Sequence, residues 1–233
     1  MGEQGNAAYR EGIGHGTEFL PLKVYSFREE YDQFFVSHHW HEEIEILFFE
    51  KGDFLLERDM VPEEISCGDI VFIGSSVLHQ LSGRVLPSLH YAVIFNFDML
   101  KFDRYDMAQA SMLAPLCNGE CSLPGRIGKN DAGYKEVLAA LKEIFTAWEG
   151  KKPGWYLRVK ALLLLILSVL EEHGHLRHMG RAEKAEDSYQ MKEIKQVLKY
   201  MEEHYKEKVT LSMLAGRAGM NEQYFCRFFR RMT

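Results

Sequence analysis

His39-Trp40-His41 is followed by Glu45 and Gly52, the spacing H-x-H-x3-E-x6-G. On a strand, His39, His41 and Glu45 share parity and can point to one face. With His79 from a neighbouring strand, three imidazoles and a carboxylate would suit Fe, Mn, Ni, Zn or Cu. The same four groups without an ion would hydrogen-bond a small ligand or shape a pocket mouth. Ligand type without geometry does not separate the two, and the expectation carried forward is a pocket that needs no cofactor.

A second constellation lies near the other end of the chain. Gln223, Cys226, Arg227 and Arg230 recur at i, i+3, i+4 and i+7 along a segment with helical spacing, Glu222 to Met232. Asn221 is suited to cap it, and Tyr224, Phe225, Phe228 and Phe229 form its core face. Gln and Arg can hydrogen-bond base edges in the major groove, and Arg230, Arg231 and Lys208 suit phosphates. Before it, Leu211, Leu214, Ala215 and Ala218 predict a short helix after Thr210, and Gly219 predicts a tight turn with positive φ. Earlier still, Ile194, Val197, Leu198, Met201 and Tyr205 line one face, with Ser188 as a possible cap. This is helix-turn-helix spacing. The alternative is three helices packed together with a solvated basic face.

Length and hydrophobic pattern set the framework around these groups. The 233 residues allow one large domain or two small ones. With 46% hydrophobic residues, 15 Phe, 11 Tyr and 3 Trp, disorder of the whole chain is excluded. Four cysteines without a C-x-x-C pair argue against a disulfide scaffold and fit a reducing cytoplasm. The Gly-rich start has no apolar h-region, so it is not a signal peptide, and the run from Val159 to Leu170 is too short to span a membrane. A soluble, cytoplasmic protein without a membrane partner is expected.

The net charge of −6 argues by itself against nucleic acid, but it is unevenly spread. Residues 189–233 hold nine Lys/Arg against five Asp/Glu, a net of +4, and the first 188 residues carry a net of −10. An acidic module joined to a basic one points to a DNA-facing tail.

Residues 1–18 read as a flexible arm. Short apolar runs at Leu22–Phe27, Ile44–Glu50, Asp53–Arg58, Asp69–Ile73 and Leu89–Phe97 predict strands, with a hairpin turn at Lys51-Gly52-Asp53. Many short strands in 19–100 suggest a sandwich or barrel. Ile44, Ile46 and Phe48 alternate with Glu45, Leu47 and Phe49, so something must cover the outer face of that strand. Helical spacing over 131–149 and 154–172 supplies it, within a segment 101–172 expected to be helical. The second of these helices is apolar nearly all round, which predicts a dimer. Residues 173–188 read as a polar linker; His173, His175 and His178 lack an apparent fourth metal ligand.

Two family resemblances rest on these residues. The stretch VTLSMLAGRAGMNEQYFCRFFRRMT resembles the first helix-turn-helix of AraC/XylS-type transcription regulators, through Leu211, Leu214, Ala215, Gly219, Met220, Tyr224, Phe225, Arg227 and Phe229. The likeness spans about residues 190–233. It implies that Gln223, Cys226 and Arg227 face bases and that Arg230 holds the DNA backbone. Asn221 stands where Ser is usual, and Cys226 is a poor hydrogen-bonding group. The family's second helix-turn-helix is missing after Thr233, which implies a truncated chain or binding through one motif per subunit.

The H-x-H-x3-E-x6-G segment resembles the first motif of the cupin superfamily. Gly68-Asp69-Ile70-Val71-Phe72-Ile73 with His79 resembles the second, without the usual Pro. Regulators of the AraC type carry sensor domains of this fold. The resemblance implies a small α+β protein with a cupin-like barrel, a helical dimerisation segment and an incomplete all-α DNA-binding domain. A barrel of this size can hold one small ligand. Trp40, Tyr91 and Phe95 would stack on it, and His39, His41, Glu45, His79 and Asn96 would bond its hydroxyls; the alternative for each residue taken singly is plain core. Sugars are a common effector class in the family, so a carbohydrate is expected.

The reading is a non-enzymatic, effector-responsive regulator acting as a homodimer on operator DNA. The alternatives are a metal-dependent cupin enzyme, with His39, His41, Glu45 and His79 as ligands, and a sensor fragment without DNA affinity.

Overall fold

A computed structural model describes residues 11, 14–178, 197, 200, 201 and 204–232. Ser188, Ile194, Leu198 and most of the expected linker and arm lie outside the described residues. So does the side chain of Arg231.

Eight strands come first. They are β1 (Leu22–Glu29), β2 (Phe35–His39), β3 (Ile44–Lys51), β4 (Phe54–Arg58), β5 (Val61–Ile65), β6 (Ile70–Ile73), β7 (His79–Gly83) and β8 (Ser88–Phe95). All pairings are antiparallel. One sheet has the order β1-β8-β3-β6-β10, with β10 at Arg126–Ile127; the other has the order β2-β7-β4-β5. The five runs read as strands from their apolar pattern are β1, β3, β4, β6 and β8. Strands β2, β5 and β7 escape that reading because their sequences, FVSHH, VPEEI and HQLSG, are too polar to stand out.

Alternation along β3 sorts its residues between two cores. Leu47 and Phe49 turn inward and meet Phe54, Leu56, Ile65, Leu81, Ala92 and Ile94 between the two sheets. Ile44, Ile46 and Phe48 turn outward and join Val93 and Phe95 against two helices. These are α2 (Tyr134–Gly150) and α3 (Trp155–Glu172), which follow a four-residue α1 (Ala114–Cys117). A sheet covered on both faces explains strands that are apolar on both sides. Each large side chain so buried contributes about 1.5–3 kcal/mol.

Gly52 closes the β3–β4 hairpin at φ +90°, and a Cβ there would stand 2.9 Å from the carbonyl oxygen of Val85. Only glycine meets both demands without strain.

Contrary to the expectation of a helical segment over 101–172, the stretch is not helical throughout. Between a short π-helical turn at Gln109–Leu113 and α2, the chain makes β9 (Cys121–Ser122) and β10, and β10 pairs with β6 at the edge of the larger sheet. Ile127 is 1% exposed there. Edge pairing and one buried side chain outweigh the weak helical signal of this segment. Strand β11 (Arg177–His178) pairs with β9, so the first residues of the expected linker are tied to the body of the domain.

The C-terminal unit has its own core. Val197, Tyr200, Leu214, Ala215, Ala218, Phe225 and Phe228 pack together, the last five from α4 (Leu211–Arg217), the turn after it, and α5 (Glu222–Met232). The architecture is mixed α+β.

Candidate functional site

The four groups named from the first motif meet in the structure. His39 ends β2, His79 opens β7, and the two are directly paired across that sheet. A bulge between Val36 and His39 adds one residue to β2 and re-aims the strand's end. His41 follows in the connection, and Glu45 comes from β3 in the opposite sheet. The ring centroid of His79 lies 4.1 Å from that of His39 and 5.2 Å from that of His41. Ligand atoms of all three imidazoles fall within 4.8 Å of one another.

The three rings are oriented alike. Nδ1 of His39 bonds the carbonyl of Ser37 at 2.9 Å, that of His41 the carbonyl of Glu43 at 3.1 Å, and that of His79 the carbonyl of Val77 at 2.9 Å. A carbonyl only accepts, so each Nδ1 carries the proton, and each neutral ring presents an Nε2 lone pair. Oε2 of Glu45 stands 3.5 Å from Nε2 of His41 and 3.2 Å from Nε2 of His79. Both Nε2 atoms are buried and lack a hydrogen-bond partner. The contacts with Glu45 are thus close charge approaches rather than well-formed hydrogen bonds.

Acceptors facing acceptors need a positive charge between them. Burial would raise the Glu45 carboxyl, but His41 and His79 override it and hold it well below the usual carboxylate range. Burial disfavours the His41 imidazolium, yet Glu45 beside it leaves the His41 pKa raised. Burial, helped by the neighbouring His79, pushes His39 down and keeps it neutral. Two arrangements therefore satisfy the carboxylate: a second proton on His41, or one cation shared by all three rings. The residues fit a divalent cation, because carbonyl-anchored Nδ1 atoms and free Nε2 atoms are what such an ion needs.

Other expected pocket residues lie elsewhere. Tyr91 stacks on Phe145 of α2 with ring centroids 4.5 Å apart, and Phe95 belongs to the same outer core. Alternation along β8 puts both on the helix side of the sheet, so neither can stack on a ligand in the barrel. Asn96 caps a 3-10 turn, its Oδ1 accepting from the Asp98 N–H at 2.8 Å, so that oxygen is committed to the backbone. Trp40 is half-buried, and its carbonyl accepts the Glu11 N–H at 3.1 Å. His38 bonds Glu57 instead of joining the cluster.

Sequence reasoning missed three residues here. Glu11, His15 and Tyr25 form a hydrogen-bonded row, with His15 2.9 Å from the Glu11 carboxylate and 3.0 Å from the Tyr25 hydroxyl. His15 is 6% exposed. The flexible arm read over 1–18 does not extend to these residues, because this row ties them to the barrel. Nothing in the local Gly-rich pattern signals it. His90 was also overlooked; it lies among Phe27, Phe34, Phe49 and Phe54 inside the barrel. Burial pushes its pKa down to about 4.

The second candidate site is the C-terminal pair of helices. Thr210 caps α4 by accepting the Met213 N–H. Gly219 takes φ +61°, and the Met220 N–H reaches back to the Ala215 carbonyl at 2.9 Å. This is a Schellman-type stop, and it turns the chain into α5. Asn221 caps α5, its Oδ1 accepting the Tyr224 N–H at 2.8 Å. Phe225 and Phe228 are buried, and Gln223, Cys226, Arg227 and Arg230 are exposed on the other side. Tyr224 is exposed too, so it does not belong to the core face expected for it; the apolar stripe is narrower and starts at Phe225. Arg217 stacks over the Tyr200 ring at 3.6 Å and joins α4 to the preceding helical residues.

No protein-family model matches the chain. It is 26% identical over 228 residues to an uncharacterized HTH-type transcriptional regulator, YdeC, of Bacillus subtilis (strain 168), with 96% of this chain and 75% of that protein covered. Among solved structures it is similar to oxalate decarboxylase of Bacillus subtilis, at 16% identity and a TM-score of 0.29, over 32% of this chain and 21% of that one. An RmlC-like cupin from Shewanella frigidimarina NCIMB 400 matches at 16% identity and a TM-score of 0.29, over 32% of this chain and 66% of that one. The chain thus spans under two thirds of these solved structures. No helix among the described residues is long and apolar enough to cross a membrane.

Proposed function

We propose that this protein is an effector-responsive, DNA-binding transcription regulator of the AraC type. The observation that carries this reading is the capped turn at Gly219, which holds α4 against α5 and leaves Gln223, Arg227 and Arg230 together on an exposed face. A distant relative over nearly the whole chain is an HTH-type regulator, which supports it. Arg227 and Gln223 read bases, Arg230 and Arg231 hold phosphates, and Cys226 adds little.

The barrel is the sensor. Its ligand is a small molecule rich in oxygen, with a carbohydrate as the first candidate, bound at His39, His41, Glu45 and His79. The protein binds this ligand and does not turn it over. Two subunits join through α3, which exposes Tyr156, Leu157 and Leu165. Effector binding acts on DNA affinity only by favouring one arrangement of the paired DNA modules.

A divalent cation at the cluster is a second reading for the sensor, favoured by the two buried Nε2 atoms without partners. A single added proton on His41 satisfies one of them; one cation on His39, His41, His79 and Glu45 satisfies all. Bound there, it would supply a positive centre for oxygen atoms of the effector. The protein's own groups orient the rings through Ser37, Glu43 and Val77 and exclude water by burial.

The test is fluorescence anisotropy with labelled mixed-sequence duplex DNA across a salt series. The wild-type protein should show a steep salt slope, and Arg227→Ala/Arg230→Ala should reduce it by about one per lost phosphate contact. No binding at low salt, or an unchanged slope in the variant, sinks the DNA reading.

A further inference from the structure

We propose that Glu11 is an additional acidic ligand of the histidine cluster, supplied by the N-terminal segment, so that a divalent cation there fastens that segment to the barrel. This rests on the cation reading above. Glu45 approaches the cluster from β3 and faces His41 and His79. Glu11 approaches the remaining ring: its Oε2 lies 3.6 Å from Nε2 of His39. The Nδ1 of His39 is already committed to the Ser37 carbonyl. A neutral His39 therefore turns a lone pair toward the Glu11 carboxylate, the same mismatch found at Glu45. One cation relieves both.

The charge balance agrees. With the three imidazoles serving as neutral ligands of a cation, Glu11 and Glu45 bring two negative charges, which a divalent ion cancels.

Glu11 is also held in place. Its backbone N–H donates to the Trp40 carbonyl at 3.1 Å. Its carboxylate accepts from His15 Nε2 at 2.9 Å, and His15 Nδ1 then accepts the Tyr25 hydroxyl proton at 3.0 Å. The His15 ring rests edge-on against His41, with centroids 5.4 Å apart. Tyr25 and His15 thus act as positioning residues: a part-buried row runs from β1 to the carboxylate. A histidine placed only to pack would not need both nitrogens matched to partners of opposite polarity.

The experiment uses the full chain, cobalt(II) chloride and trypsin. Visible absorption follows cobalt binding, and mass spectrometry follows cleavage of the Arg10–Glu11 bond. Cobalt should slow that cleavage at least tenfold in the wild type. Glu11→Gln should weaken cobalt binding about tenfold, within the range for supporting groups around a metal, and abolish the protection. Tyr25→Phe, which leaves every ligand in place, should reduce the protection in part. Cobalt binding by the wild type with equal affinity or retained protection in Glu11→Gln overturns this inference alone. No cobalt binding by the wild type overturns the cation reading and this inference with it.

Discussion

Nε2 of His79, from one sheet, stands 3.2 Å from Oε2 of Glu45, from the other, and both residues are buried. This contact, with its counterpart at His41, joins the two layers of the barrel through charge rather than apolar packing. Glu45→Gln tests what balances it. The Gln amide can donate to a bare Nε2, so if a cation is the native partner, the ion-free variant should be at least as stable as ion-free wild type. Its zinc or cobalt affinity should fall at least about 100-fold, beyond the usual cost of altering a supporting group. If an imidazolium on His41 is the partner instead, the variant should lose about 3–5 kcal/mol, the cost of breaking a buried pair. Calorimetric unfolding with chelator and titration calorimetry with the metal separate the outcomes.

His90 predicts acid sensitivity. It is buried among four phenylalanines, its Nδ1 has no partner, and its pKa is pushed down to about 4 from an ordinary 6.5. Between those values the unfolded chain binds a proton that the folded chain does not. Stability therefore falls as pH drops through this window, by on the order of 2–3 kcal/mol at pH 4.5. His90→Leu should remove that part of the slope and leave stability at pH 7 within about 1 kcal/mol of wild type. Urea denaturation of both proteins at pH 7 and 4.5 checks it; parallel losses in the two would show that His90 is not responsible.

Gly219→Ala should damage the DNA-facing unit selectively. The site is open, with nothing within 4 Å of an added Cβ, but its φ of +61° is left-handed. The expected cost is about 1–2 kcal/mol. DNA affinity should fall several-fold at constant salt. Ligand or metal binding in the barrel should be unchanged, and a loss there would contradict the assignment.

The exposed face of α3 predicts the oligomeric state. Leu157 and Leu165 are 65% and 48% exposed, two turns apart on the same side. Burying each against a partner would contribute about 1.5–3 kcal/mol. Sedimentation should show a wild-type dimer and a monomeric Leu157→Glu/Leu165→Glu protein. A wild-type monomer at micromolar concentration would leave this face without the proposed partner.

The sequence determined what is local. Alternation in Ile44–Lys51 announces a strand with two apolar faces, and apolar spacing announces α2 and α3, because period is set by backbone geometry alone. The cap at Asn221 and the turn at Gly219 are legible for the same reason: each acts on backbone within a few residues. Tertiary structure decided which face is which. Alternation along β8 separates Tyr91 from His90 but cannot say that Tyr91 meets Phe145 and His90 meets the barrel interior; that depends on α2 folding back across the sheet. It also decided the cluster. His39, His79 and Glu45 come from three strands in two sheets, and a bulge in β2 sets the aim of one of them. The row from Tyr25 through His15 to Glu11 had no sequence signal, because Glu11 and His15 lie outside any helix or strand whose period could pair them, and Tyr25 belongs to β1. Pairing of that kind depends on chain topology, which no local period encodes.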